Sequence, residues 1–357
     1  MSVFFIAEAG VNHNGDLNIA RALIDIAAES GADAVKFQTF SANKLASQET
    51  PKAAYQVRHD STNSSHLEML KKLELTKDAH KVLKNHCATK EVLFLSSPFD
   101  KESLAFLTRE LNIPMIKIPS GELTNGPLLL DAGRSGKKVI LSTGMCTLDD
   151  VRAALDLLAF AMLEPIKLPS DSACKESGAS AEGKRLLKER VTVLQCTTDY
   201  PTPIQDVNLR AMCTMRDTYD LNVGLSDHSV GHVAAIMAVG LGASVIEKHF
   251  TIDRDLPGPD HQASIDPEGL KQMIAAIRQA ELALGNDAKV PGEQELLNIN
   301  VARKSLFAAT DISAGEAFTE DNLTAKRPGY GISPMCYWSY LGRAAKRDYK
   351  AGEMIKI

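Results

Sequence analysis

The sequence has little of what would mark a membrane, exported or nucleic-acid-binding chain. Its longest uninterrupted apolar runs, Leu157 to Leu163 among them, are far short of the roughly 20 residues that cross a bilayer, so no membrane partner is expected. The start, Met1-Ser2-Val3-Phe4, lacks the basic residues of an export signal, and a cytoplasmic location is expected. Cysteine is sparse: Cys87, Cys146, Cys174, Cys196, Cys213 and Cys336 are scattered with no CxxC, which supports neither a zinc knuckle nor a disulfide framework. Basic charge is not in excess either. Lys and Arg total 40 against 45 Asp and Glu, a net charge of −5, so no nucleic-acid partner is expected and any anion must be held by a local cluster.

What is present is ordinary globular material, 44% hydrophobic and 24% charged, in 357 residues. That length suits two domains, or one large barrel with an appendage. Eight short runs rich in β-branched and aromatic residues recur with helical stretches between them: Val3 to Ala7, Ala34 to Gln38, Val92 to Ser96, Met115 to Pro119, Lys137 to Ser142, Val191 to Cys196, Leu221 to Leu225 and Ser244 to His249. Eight βα units predict a (β/α)8 TIM barrel. Asn18 to Ser30 has helical apolar spacing with Asp16 as its N-cap, and Pro267 to Leu284 reads as a closing helix. The barrel is assigned to residues 1–285, a linker to 286–300, and a small β-rich C-terminal domain to 301–357. The segment Lys167 to Lys188, rich in serine and charge, is expected to be a solvated excursion.

Polar residues concentrate at the strand ends, where a barrel of this kind builds its site. A doubly wound open sheet would gather its ligand groups at one switch point instead. His228 and His249 end neighbouring strands; they either share a divalent metal that polarises a substrate oxygen or are hydrogen-bonded histidines without one. Lys36 and Gln38, two apart on a strand, face the same way. With Lys117 and the hydroxyls of Ser97, Ser120, Ser142 and Ser226 they make a ring suited to a small phosphate-bearing carboxylate, unless the lysines are rim residues paired with acids. Glu8 and Glu122 are acid, base or sugar-hydroxyl candidates. Asp260, in the loop Gly258-Pro259-Asp260-His261, either joins the site or forms a turn, and His13 is read as fixing its own loop.

The runs Ile6-Ala7-Glu8-Ala9-Gly10-Val11-Asn12-His13-Asn14-Gly15, Val35-Lys36-Phe37-Gln38-Thr39, Lys117-Ile118-Pro119-Ser120-Gly121-Glu122, Leu225-Ser226-Asp227-His228, Glu247-Lys248-His249-Phe250 and Gly258-Pro259-Asp260-His261 resemble, in order and spacing, the sialic acid (nonulosonic acid) synthases. Lys326-Arg327-Pro328-Gly329-Tyr330-Gly331-Ile332-Ser333-Pro334 resembles that family's antifreeze-like, or SAF, domain. The resemblance implies that phosphoenolpyruvate condenses with an open-chain N-acylated mannosamine-type sugar, giving a nine-carbon 2-keto acid and phosphate.

It also implies roles. His228 and His249 would bind a divalent metal, Mn2+ in the first instance, with Mg2+ or Co2+ as alternatives. Lys117, Ser97, Ser120 and Ser226 would hold phosphate, with Thr198 standing where relatives carry Asn, and Lys36 with Ser142 would hold the carboxylate. Glu8 would assist water addition, and Gln38, Glu122, Tyr200 and Asp260 would bind the sugar. Arg327 would reach the N-acyl group in the partner's site of a domain-swapped homodimer.

N-acetylneuraminate synthesis from N-acetylmannosamine is the first reading. Legionaminic acid synthesis from 2,4-diacetamido-2,4,6-trideoxymannose is the alternative, because Thr198 departs from the neuraminate pattern. A non-catalytic carbohydrate- or ice-binding protein and a pyruvate-dependent aldolase are the readings from other classes.

Overall fold

The computed structural model describes residues 2–53 and 65–356. Eight parallel strands, β1 (Phe4–Gly10), β2 (Ala34–Thr39), β3 (Leu93–Pro98), β4 (Met115–Ile118), β5 (Lys138–Ser142), β6 (Val191–Cys196), β7 (Asn222–Asp227) and β8 (Val245–His249), hydrogen-bond in the order β3-β2-β1-β8-β7-β6-β5-β4. β3 and β4 lie side by side at the remaining seam, so the sheet is a nearly closed TIM-like barrel. Its strands are short apolar runs because both faces are covered.

Alternation along each strand sorts the side chains. Outward residues such as Phe5, Ala7, Val35, Ile116 and Ile246 join the helical layer in one large core. Inward residues Ile6, Ala34, Leu95, Ile140, Leu194 and Val245 plug the barrel. Two residues further on, the inward positions become polar: Glu8, Lys36, Ser97, Ser142, Cys196 and Glu247. The first helix, Leu17–Glu29, starts where Asp16 accepts hydrogen bonds from Asn18 N and Ile19 N, and it buries Ala20, Leu23, Ile24 and Ala27.

Residues 167–188, expected to be an irregular solvated excursion, instead form most of two helices, Asp171–Ala179 and Ala181–Arg190. Ser170 and Ser180 cap their N-termini, and Gly178 lets the first approach the Leu148–Leu163 helix, where any side chain would collide with Asp156. The serine and glycine that suggest a loop are a cap and a close contact.

The chain divides into two compact units, Met1–Gly285 and Asn286–Ile357. Within the second, residues Glu293–Ala302 are helical, without a buried face. β9 (Ser305–Ala308) and β10 (Leu323–Lys326) pair antiparallel over a core of Leu306, Ala308, Ile312, Phe318, Leu323, Ala345, Tyr349 and Ile355. Two tight turns, at Ser313-Ala314-Gly315-Glu316 and Lys350-Ala351-Gly352-Glu353, are each closed by the glutamate accepting from the first residue's N–H, at 2.9 and 3.1 Å.

Candidate active site

A cavity of about 330 Å3 opens at the C-terminal ends of the strands. Glu8, Lys36, Gln38, Ser97, Lys117, Ser120, Ser142, Thr198, Tyr200, Ser226, His228, His249 and Asp260 all line it. Glu122 lies outside this lining. Its carboxylate accepts a 2.6 Å hydrogen bond from Asn125 Nδ2, and burial raises its pKa. Arg327 sits in the second unit, exposed, with Nε donating to Ala302 O at 3.0 Å. His13 is buried beside the cavity loop, accepts from Gly15 N at 2.9 Å and does not line the cavity.

The floor is a network of buried charges. Lys36 Nζ lies 2.6 Å from Glu8 Oε2 and 3.6 Å from Glu247 Oε2, and donates to Ser97 Oγ at 3.0 Å. Lys117 Nζ donates to Glu247 Oε1 at 2.9 Å, and Ser226 Oγ donates to the same oxygen at 2.7 Å. Burial opposes ionisation of Glu247, but Lys117 and Lys36 outweigh it and hold the carboxyl well below the usual range. Burial wins at Glu8: despite Lys36, and with Glu247 adding repulsion, its pKa is pushed up to about 7. Two carboxyls a few ångströms apart are thus driven in opposite directions, one a fixed anion and one able to exchange a proton near neutrality.

The sequence places Glu247 with His249 at a polar strand end but gives it no role. It stands two residues before His249 on one strand, so both face inward, and that spacing is the available signal. Cys196 is a second lining residue to which the sequence gives no role, its Sγ 3.8 Å from His228 Nδ1; burial pushes the thiol up, yet His228 brings it down to about 7.

Around the floor, several groups aim at the cavity. His228 Nδ1 meets Thr197 O at 2.7 Å, which fixes the tautomer with Nδ1–H donating and leaves Nε2 as the acceptor. Burial, reinforced by His228, keeps His249 well below its ordinary pKa and therefore neutral. Its Nδ1 is buried without a hydrogen-bond partner, 3.9 Å from Asp260 Oδ2. Tyr200 covers both imidazoles, its ring centroid 4.1 Å from that of His228 and 5.7 Å from that of His249. Ser142 Oγ is buried with no hydrogen-bond partner.

Ser120 Oγ accepts from Gly144 N at 2.9 Å. Gly144 has no room for a side chain, since a Cβ would fall 2.3 Å from Thr198 Oγ1 and 2.9 Å from Ser120 Oγ.

Burial lowers the pKa of His228 but Cys196 outweighs it and raises it, while His249 is neutral; the two imidazoles, at the ends of adjoining strands with centroids 5.4 Å apart, fit a divalent ion that would take its other ligands from substrate and water. Among the described residues no group of three or more His, Cys, Asp and Glu converges as a protein-only metal site. Chemically, the cavity offers two cations and several hydroxyls to an anion, one proton carrier, and an imidazole pair under an aromatic ring.

The NeuB family matches residues 23–289 and the SAF domain residues 303–357. The chain is similar to the N,N'-diacetyllegionaminic acid synthase of Campylobacter jejuni, with 47% identity over 351 residues and 98% of each chain covered. It is similar to the N,N'-diacetyllegionaminic acid synthase of Legionella pneumophila at 42% identity, covering 99% of this chain and 93% of that one. Among solved structures it resembles the N-acetylneuraminic acid (sialic acid) synthetase of Leptospira borgpetersenii, solved with citrate, at 31% identity and a TM-score of 0.67, over 84% of this chain and 90% of that one.

Proposed function

This chain belongs to the NeuB family and carries a SAF domain, and we propose that it condenses phosphoenolpyruvate with open-chain 2,4-diacetamido-2,4,6-trideoxymannose and water, releasing phosphate and a diacetylated legionaminic-type acid. The observation that carries the choice of sugar is near-full-length identity of 47% and 42% to two legionaminic acid synthases, against 31% to an N-acetylneuraminic acid synthetase. The order of the two sugar readings drawn from motifs is therefore reversed, and N-acetylneuraminate synthesis becomes the second reading.

In this mechanism Lys117 with Ser97, Ser120 and Ser226 binds the phosphoryl oxygens, and Thr198 donates one further hydrogen bond beside Gly144. Lys36 and the unpartnered Ser142 hydroxyl hold the carboxylate. His228 and His249 would hold a divalent ion, Mn2+ for choice, which supplies Lewis-acid polarisation of the aldehyde oxygen. The enol carbon bonds to the aldehyde carbon, water adds at the former enol C2, and the C–O bond to phosphate breaks. Glu8, ionised above about pH 7, takes the proton of the adding water. Tyr200 closes one side of the reacting centre, Gln38 and Asp260 orient the sugar hydroxyls, and Glu122, which follows the lining residue Gly121, is assigned to a further sugar hydroxyl. Arg327 is assigned to the sugar acyl group in the partner's site of a homodimer.

The test is phosphate release from phosphoenolpyruvate with Mn2+, without sugar, with N-acetylmannosamine and with the diacetamido sugar, each with and without chelator. Release that requires the diacetamido sugar and stops on chelation is expected, and His249→Ala should reduce it to background. Release that survives both treatments would remove the metal assignment, and release with N-acetylmannosamine alone would restore the neuraminate reading.

A further inference from the structure

The cavity is chemically two-sided. Its floor is charged, but the flank contributed by the loop after β1, the segment between β2 and β3, and the residue following β3 is apolar: Val11, Leu45, Met69, Leu70, Leu73 and Phe99 all line it. Four of these, Val11, Met69, Leu70 and Leu73, are also members of a small separate core with Phe40, Ala42 and Ala46, and each is only 6–7% exposed. Phe99 is held edge-on against Phe40, ring centroids 6.0 Å apart. The flank is therefore a packed surface, fixed from behind, that also forms a wall of the substrate cavity.

A wall of this kind is poorly matched to a polyhydroxylated chain. Each sugar hydroxyl laid on it loses its water and finds no hydrogen-bond partner, whereas a methyl group gains from the same contact. Reaction geometry places the aldehyde end of the sugar at the imidazoles and the charged floor, so the far end of the chain is what remains to meet another wall. Among the described residues one polar group interrupts the flank: His66, which lines the cavity with its Nδ1 buried and without a hydrogen-bond partner there. It offers an amide or hydroxyl one hydrogen bond amid apolar contacts.

We propose that the apolar flank centred on Met69, Leu70, Leu73 and Phe99 is the specificity wall of the site, and that it selects a sugar whose distal end is methyl-bearing and deoxygenated at C6. The inference rests on the synthase reading above and deepens it, because it assigns the choice between the two sugars to named side chains. An apolar pocket rejects a substrate that merely adds a hydroxyl by about a hundredfold at most, so the preference is expected to lie between about tenfold and a hundredfold.

The experiment uses the intact protein with Mn2+ and three sugars: the diacetamido sugar, N-acetylmannosamine, and 6-deoxy-N-acetylmannosamine, which differs from the second by one oxygen. Binding is measured by calorimetry and turnover by phosphate release. The wild type is expected to bind the 6-deoxy analogue at least about tenfold tighter than N-acetylmannosamine. Met69→Gln, nearly isosteric, should shrink that ratio severalfold, and Met69→Leu should keep it.

Equal binding of the two monoacetamido sugars by the wild type overturns the wall, whether or not any variant folds, and so does a ratio untouched by Met69→Gln. Phosphate release with the diacetamido sugar alongside equal binding leaves the synthase reading standing and removes the wall. A retained 6-deoxy preference in binding with no phosphate release from any sugar does the reverse. Absence of binding by all three sugars removes both.

Discussion

Strand β8 contributes to two buried ion pairs on opposite faces, one with β7 and one with β4. Lys248 Nζ and Asp227 Oδ2 are 2.8 Å apart, and Lys117 Nζ and Glu247 Oε1 are 2.9 Å apart, with no side chain of the four more than 3% exposed. Separation and burial are nearly the same, and the surroundings are not. Asp227 also accepts from Ser229 N and Ser229 Oγ, and Lys248 also donates to Ser229 O, so the outward pair is closed on itself. The inward pair borders the cavity that also holds the unpartnered Ser142 Oγ and His249 Nδ1. Glu247 and Lys248, consecutive on β8, thus put a binding pair and a structural pair one residue apart, and only the face decides which is which.

The comparison breaks most directly at the outward pair. Asp227→Ala leaves Lys248 buried and unpaired, and the loss of stability is expected to be about 3–5 kcal/mol, read from urea unfolding. A value within about 1 kcal/mol of the wild type would mean that water reaches Lys248 and that the two pairs are alike after all. Lys117→Ala is the matching break on the inside. Phosphate release should fall by about 10^2–10^3, while stability changes less than in Asp227→Ala, because Glu247 keeps Ser226 and the nearby Lys36. Loss of fold equal to that of Asp227→Ala would show the inner pair to be structural too.

Glu8 sharpens the contrast between the two inner carboxyls. Its pKa, pushed up to about 7 by burial, makes it a base only when ionised, so turnover should rise with pH through about 7 and then level. Glu8→Gln should lower turnover by roughly 10^2–10^4 and flatten that rise. A variant that keeps the wild-type pH profile would transfer the proton role to another group.

Much of the barrel and its lining is legible in the sequence. The eight βα units can be read because each strand is an apolar run covered on both sides, and the polar strand ends mark the cavity lining. The reading fails where composition and surroundings disagree. Ser170 and Ser180 look like loop residues and are helix caps. The helix Glu293–Ala302 buries no face, so no periodicity announces it. Glu247 goes without a role because its partners Lys117 and Ser226 are remote in sequence, and only the register placing Ser226 opposite it reveals the shared floor. The apolar flank is built from separate segments, residues 42–45 and 66–73 with Val11 and Phe99, so no single stretch of sequence displays it.

Arg327 carries the smallest expected effect. Its guanidinium makes no ion pair with a carboxylate among the described residues, and its one hydrogen bond there, to Ala302 O, uses only Nε. The terminal nitrogens of the fork are the part suited to an amide carbonyl. One charged hydrogen bond contributes about 1.5–3 kcal/mol, so Arg327→Ala should raise the KM for sugar about tenfold to a hundredfold and leave the KM for phosphoenolpyruvate unchanged. Mixing subunits tests the proposed homodimer and whether the arginine acts across it. In a heterodimer of Glu8→Gln and Arg327→Ala chains, an arginine acting in trans leaves one site doubly defective and the other intact, because the barrel with Glu8 receives Arg327 from its partner. An arginine acting within its own chain leaves both sites defective. Recovery of activity on mixing the two weak variants, toward half the wild-type rate per heterodimer, is therefore expected, and a mixture no more active than the average of its parents would confine Arg327 to its own subunit.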